Sequence, residues 1–250
     1  MKKLFTLAFV SFSLLGRAQQ TSGLITYEQT LSFAIENTKD MPEGLADLLS
    51  KPQKTEKVLF FNASAALYEN KEKADKDQSE ELTEGDMKIN LSRSAPEERT
   101  YLDLQAKKEI AEKDLMGRKF LVTRPLNTLS WKMTGRQKKI LDRSCMEAIA
   151  DKGGADSVTV WYTPDIPVSA GPETLSGLPG MILEAHIGKQ LHLLATHIEE
   201  DPSGGKKIKE PAKGKKITAE EFERLAKEKS EELKKQYGAG KDGQVIIIRK

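Results

Sequence analysis

Residues 161–186 read WYTPDIPVSAGPETLSGLPGMILEAH, and the conformation of this stretch decides what the chain on either side can build. Pro164, Pro167 and Pro172 each push the preceding residue toward an extended backbone, so the segment after Trp161, Tyr162 and Thr163 is a stiff linker and not a helix. Leu178-Pro179-Gly180 predicts a type II turn, in which proline presets the first corner and Gly180 accepts the positive φ of the second. Met181, Leu183, Ala185 and Ile187 then alternate with Glu184, His186 and Gly188, the period of a strand. Since SVTVWYT (157–163) alternates as well, the whole reads as strand, extended crossover, strand.

The pattern repeats outward. GLITYEQTLSFAIE (23–36) places Ile25, Tyr27, Leu31, Phe33 and Ile35 on one parity, which predicts a strand with one buried face. KVLFFNASAALYEN (57–70) reads as a second strand and MKINLS (87–92) as another. RTYLDLQAKKEIAEKDLMGRKFLVT (99–123) reads as a hairpin or pair of strands, and SWKMTG and KKILDRSCMEAIA as further strands before the turn-rich DKGGAD (151–156). Residues 71–86 are too densely charged to bury anything and predict a mobile loop, and 201–216 predict a basic loop. Helical spacing of Leu45, Leu48 and Leu49 predicts a short helix. A longer one is expected over 218–237, opened by the capping box of Thr218 and Glu221 and ended by Gly238, with QVIIIRK as a last strand. Many strands in succession with few helices predict a mainly β fold with some α: a large curved antiparallel sheet or open half-barrel, with short helices and one C-terminal helix packed on it.

Lys2 and Lys3 precede an apolar run from Leu4 to Leu15 and small residues at Gly16 and Ala18, the pattern of a secretory signal peptide over 1–18. The remainder, 19–250, is expected to be one exported domain, periplasmic or secreted, with no transmembrane span, since no later run approaches the roughly 20 apolar residues that one needs. Without Lys2, Lys3 and Arg17 the formal charge of +2 falls to about −1, which excludes nucleic acid as a partner class. Cys145 is the only cysteine, so no intramolecular disulfide forms and stability rests on a packed core.

The block Trp161-Tyr162-Thr163-Pro164-Asp165-Ile166-Pro167, Gly171-Pro172 and Gly177-Leu178-Pro179-Gly180-Met181-Ile182-Leu183-Glu184 resembles the GLPGLI-motif secreted proteins of Gram-negative bacteria in order and spacing. Looser agreement extends to Phe120-Leu121-Val122, Trp131-Lys132, Lys139-Ile140, Cys145 and Ala148. The chain departs from the family pattern at Asp142-Arg143-Ser144 and at Thr123-Arg124. The resemblance implies a fold similar to the open half-barrels of lipoprotein carriers, no established activity, and an envelope role beside outer-membrane transporters.

The sequence carries no recognised catalytic motif. The glycines precede a strand, not the helix that a phosphate cradle needs, and neither Ser169 nor Ser176 sits in a Gly-x-Ser-x-Gly frame. With Gly188-Lys189 taken as a two-residue hairpin, Ala185 opposes His192 and His186 points to the other face. His197 would then lie about 20 Å from His186 along a strand rising ~3.3 Å per residue. That register lets no pair of histidines share an ion, so no metal, no cofactor and no catalytic residue is expected. Trp131, Trp161, Tyr162 and Phe120 are core candidates first. Trp161 and Tyr162 face opposite sides of their strand, so with Trp131 they are also the candidate partner surface. The expected function is a non-enzymatic envelope protein that binds an apolar ligand or a protein partner such as an outer-membrane transporter. The alternatives are an envelope hydrolase with unidentified acid/base carboxylates, tested at Glu184, Asp165 or His186, and a ligand-free assembly factor with a filled sheet interior.

Overall fold

A computed structural model describes residues 20–32, 50–71, 78–84, 87–93, 98–126, 129–151, 157–201 and 205–237. The signal peptide, the helix around Leu45–Leu49, the Gly238 terminus and the closing QVIIIRK strand lie outside them. The described strands are β1 (Gly23–Leu31), β2 (Gln53–Phe61), β3 (Ala65–Asn70), β4 (Gln78–Glu84), β5 (Met87–Arg93), β6 (Arg99–Asp103), β7 (Lys108–Leu115), β8 (Arg118–Pro125), β9 (Lys132–Ile140), β10 (Arg143–Asp151), β11 (Ser157–Thr163), β12 (Met181–Ile187), β13 (Leu191–Glu199) and β14 (Lys215–Thr218); the helix is α1 (Ala219–Tyr237). Twelve strands form one open sheet in the order β14-β8-β7-β6-β3-β2-β1-β13-β12-β11-β10-β9, and β4 and β5 pair as a separate ribbon. Among the described residues all pairs are antiparallel except β14 with β8.

Several segments expected as single strands are divided by tight turns. Asn62 Oδ1 accepts from the Ser64 and Ala65 amides, both at 2.8 Å, and so bends 57–70 into β2 and β3. Met116 and Gly117 (φ 54° and 77°) and Leu141 and Asp142 (φ 48° and 60°) make two-residue hairpin corners, so 99–123 holds three strands and 138–150 belongs to two. The expected charged loop over 71–86 contains β4, because charge excludes burial but not backbone pairing. The basic loop ends where Lys215 joins β8, and the helix begins at Ala219 with the capping box formed: Thr218 and Glu221 exchange bonds of 3.2 Å.

The sheet is strongly curled. β8 and β9 are ten strand spacings apart in the sheet order, roughly 48 Å if it were flat. Only seven residue steps separate Pro125 from Lys132, a reach of at most about 25 Å, so the two ends of the sheet bend toward each other. One face carries a core of Ile25, Tyr27, Leu59, Phe61, Leu102, Cys145, Met181 and Leu183, into which the crossover inserts Ile166, Val168 and Ala170. Farther on, Glu173 and Thr174 reach strands β6–β8, sharing a groove with Thr100, Ala111 and Arg124. A segment anchored at β11 and β12 that touches both halves of this face lies inside the curve and fills it. At the other end α1 packs on the same face, its Phe222 ring edge-on to Phe120 at 5.7 Å.

The outer face at β10–β13 carries a second core of Val158, Val160, Tyr162, Ile182, Ala185 and Leu193. Leu175 and Leu178 close it, so one crossover serves both faces. Two anchors fix its path: the Ile166 carbonyl accepts from Met181 N and the Ala170 carbonyl from Ile182 N, both at 3.0 Å.

Candidate functional site

The motif residues divide by exposure. Gly171, Pro172, Leu178 and Gly180 are buried, while Pro164, Pro167, Gly177 and Pro179 are exposed on the crossover's outer side. The type II turn expected at Gly180 is not formed: positive φ occurs at Gly177 (92°) and not at Gly180. Gly180 is required for another reason, because a Cβ there would stand 2.2 Å from the Thr163 carbonyl oxygen. Trp131 is half-buried and donates its indole N–H to the Ser176 carbonyl at 2.8 Å. Tyr162 is 3% exposed and belongs to the outer core, which takes it out of the expected partner surface, while the half-buried Trp131 and Trp161 pack against different cores, the outer and the inner.

Trp161 leads to a cluster that the sequence reading did not assemble. The loop between β12 and β13 has three residues, Gly188 to Gln190, with Gly188 at φ 58°, and it pairs Ile187 with Leu191 and His186 with His192. The expected two-residue turn would have set the register one residue away, and a one-residue slip moves a side chain to the other face. A bulge where β11 meets β12, between the Trp161–Glu184 and Tyr162–Ile182 pairs, turns Glu184 to the side of Trp161. His186 and His192 stack with ring centroids 4.2 Å apart and planes 9° from parallel, and their Nε2 atoms lie 3.1 and 3.2 Å from Glu184 Oε1. His197 opposes Thr26 instead and takes no part.

Edge strand β9 supplies the charge that lets two carboxylates stay buried here. Lys138 reaches over the Trp161 ring, its Nζ 4.4 Å from the centroid, to bond Glu184 Oε2. Next to it Glu147, 3% exposed, accepts from Thr134 Oγ1 and Arg136 Nε, both at 2.6 Å. Burial alone would raise the Glu184 pKa, but the bonds from Lys138, His186 and His192 outweigh it and hold the carboxyl below its ordinary value. Burial pushes the nearby Cys145 thiol up to about 11, the state of an inert core cysteine. Asp165, named with Glu184 and His186 as a test position for hydrolysis, is exposed on the crossover.

The sequence signal for this cluster was the symmetry of His186 and His192 about Lys189, since any hairpin centred on that residue pairs them. Glu184, two residues before His186, shares its face by the period of a strand.

Against known proteins, residues 153–184 match the model of a family described as "Protein of unknown function (Porph_ging)". No curated protein matches significantly. Two crystal structures of PNGF-II are similar in fold, with TM-scores of 0.54 and 0.55 at 15% identity over 82% of this chain. The chain spans about a third of the length of PNGF-II, 33% and 32% in the two structures. An uncharacterized conserved protein from Thermus thermophilus aligns at 9% identity over 79% of this chain and 90% of its own, with a TM-score of 0.38. The PNGF-II likeness and the 12-stranded open sheet define a mainly β protein whose sheet, among the described residues, does not close into a barrel.

Proposed function

We propose that this is an exported GLPGLI-family protein of the bacterial cell envelope that holds a protein partner at the β9 edge of its sheet, and does not enclose an apolar ligand. The observation that carries the reading is the crossover: Ile166, Val168 and Ala170 occupy the inner face where such a ligand would sit. An open backbone edge among the described residues is offered instead by β9, the last strand in the sheet order, whose residues from Lys132 to Gln137 are exposed and whose Met133 is 50% exposed. An extended partner segment added there would be fixed by main-chain hydrogen bonds. Lys132 and Lys139, which guard the edge against self-association, would select acidic residues. In PNGF-II a fold of this kind makes up about a third of a longer chain, which accords with a module that works beside another protein. An outer-membrane transporter is the partner that the family resemblance suggests.

A photo-crosslinking residue at position 133 in the native host tests the reading. A discrete adduct with one envelope protein, weakened when Lys132 and Lys139 are reversed to Glu, is expected. Adducts with lipid alone, or none, would overturn it. A second reading, an envelope hydrolase, is favoured by the 3.1 Å contact of His186 with Glu184. Turnover of a screened substrate that is lost in Glu184→Gln would establish that reading in place of the first.

A further inference from the structure

We propose that Glu184, His186 and His192 form a binding site for one divalent transition-metal ion of the zinc class, a property beyond partner binding. Each residue offers one ligand atom, and the three atoms lie within 4.8 Å of one another. Zinc bonds of about 2.0–2.2 Å at a tetrahedral angle separate two ligand atoms by roughly 3.4 Å. The two histidine nitrogens already lie 3.1 and 3.2 Å from Glu184 Oε1, close to that separation, and the rings, now 9° from parallel, must tilt out of their stack so that both Nε2 lone pairs meet at the ion.

The backbone already brings the ligands together. The β12–β13 register sets the two imidazoles side by side on rigid strands, and Lys138 occupies Glu184 Oε2, leaving Oε1 as a single ligand atom. A carboxylate ligand restrained by an outer hydrogen bond is the usual support of a metal site. Lys138 is in turn kept in place by the Trp161 face. The side chains of His186 and His192 are 47% and 35% exposed, so an ion could enter from solvent and keep a fourth position for water. Two imidazoles and one carboxylate suit zinc, nickel or copper, whereas calcium and magnesium prefer all-oxygen sets. On binding, each ring carries its proton on Nδ1 and turns the Nε2 lone pair to the ion, and the contacts of both nitrogens with Glu184 are replaced by bonds to the metal.

The test is titration of the untagged protein with zinc sulfate near neutral pH, followed by calorimetry and by imidazole nitrogen NMR. One equivalent is expected to bind and to move the Nε2 resonances of two of the three histidines, leaving His197 unchanged. His186→Ala, His192→Ala and Glu184→Gln should each weaken binding at least about tenfold, since even the loss of an outer-shell partner costs that much, while His197→Ala should not. Excess magnesium should not compete. The NMR readout is made on the unaltered chain, so it stands even where a variant fails to fold. No saturable binding up to about 1 mM free zinc, the weak end of the affinity scale, would overturn the site, as would binding retained in the His186→Ala, His192→Ala double variant.

Discussion

Gly180 shows how one residue can be required for a reason other than the first that its neighbours suggest. Proline before glycine reads as a type II corner, yet the constraint is space: the Thr163 carbonyl lies where a side chain would begin. Gly180→Ala should therefore cost about 2–3 kcal/mol, the upper part of the overpacking range, measured by denaturant unfolding. Gly177→Ala, where φ is 92° and the surface is open, should cost about 1 kcal/mol through backbone strain alone. Equal costs, or a smaller one at 180, would remove the steric account. Cys145 gives a second residue-scale expectation. Its thiol ionises near 8.5 when unfolded but only at about 11 when folded, so the unfolded state loses its proton first. Stability should fall by up to about 1.4 kcal/mol per pH unit as pH rises from about 8.5 toward 11. Cys145→Ala should remove that part of the slope, and native protein at neutral pH should react far more slowly with a thiol reagent than unfolded protein.

Among the elements, α1 is the one whose start was most legible, because a capping box is local: Thr218 and Glu221 need no distant partner to satisfy each other's amides. Thr218→Ala should lower thermal stability by about 1 kcal/mol and speed amide exchange in the first turn of α1 before it affects β1 or β13. The strands were legible as strands for a similar reason, since alternation is written in each one. Their partners were not. IGKQL accommodates a hairpin loop of two residues or three, and only the packing of Ala185 and Leu193 into the outer core decides for three. That choice, with the bulge beside Trp161, turned a geometric argument against any shared ion into the Glu184–His186–His192 cluster. Turn corners without a strong signal, such as Met116-Gly117 and Leu141-Asp142, were missed because residues other than glycine adopt positive φ there at the demand of the hairpin.

For the molecule as a whole, a curved sheet with helical cover was readable from the succession of strands, but the seam that joins its halves was not. β1 pairs with β2 on one side and with β13 on the other, Leu24 opposite Glu199. Any two amphipathic strands can pair, so the choice between distant candidates is made by the shared core of Ile25, Tyr27, Met181 and Leu183. The Tyr27 hydroxyl ties that seam beyond its nearest neighbour, donating to the Ile182 carbonyl at 2.6 Å across β13.

The β1–β13 seam also governs how the chain reaches its final form. During synthesis β1 emerges roughly 170 residues before the strand that covers its second edge, so that edge stays bare until β13 has been made. Refolding should be slow, in the range of about milliseconds to seconds typical of folds dominated by non-local pairing. A synthetic β13 peptide supplied early should compete for β1 and retard recovery of the native state. The interval between the birth of the two strands is the period in which the chain has most need of a chaperone.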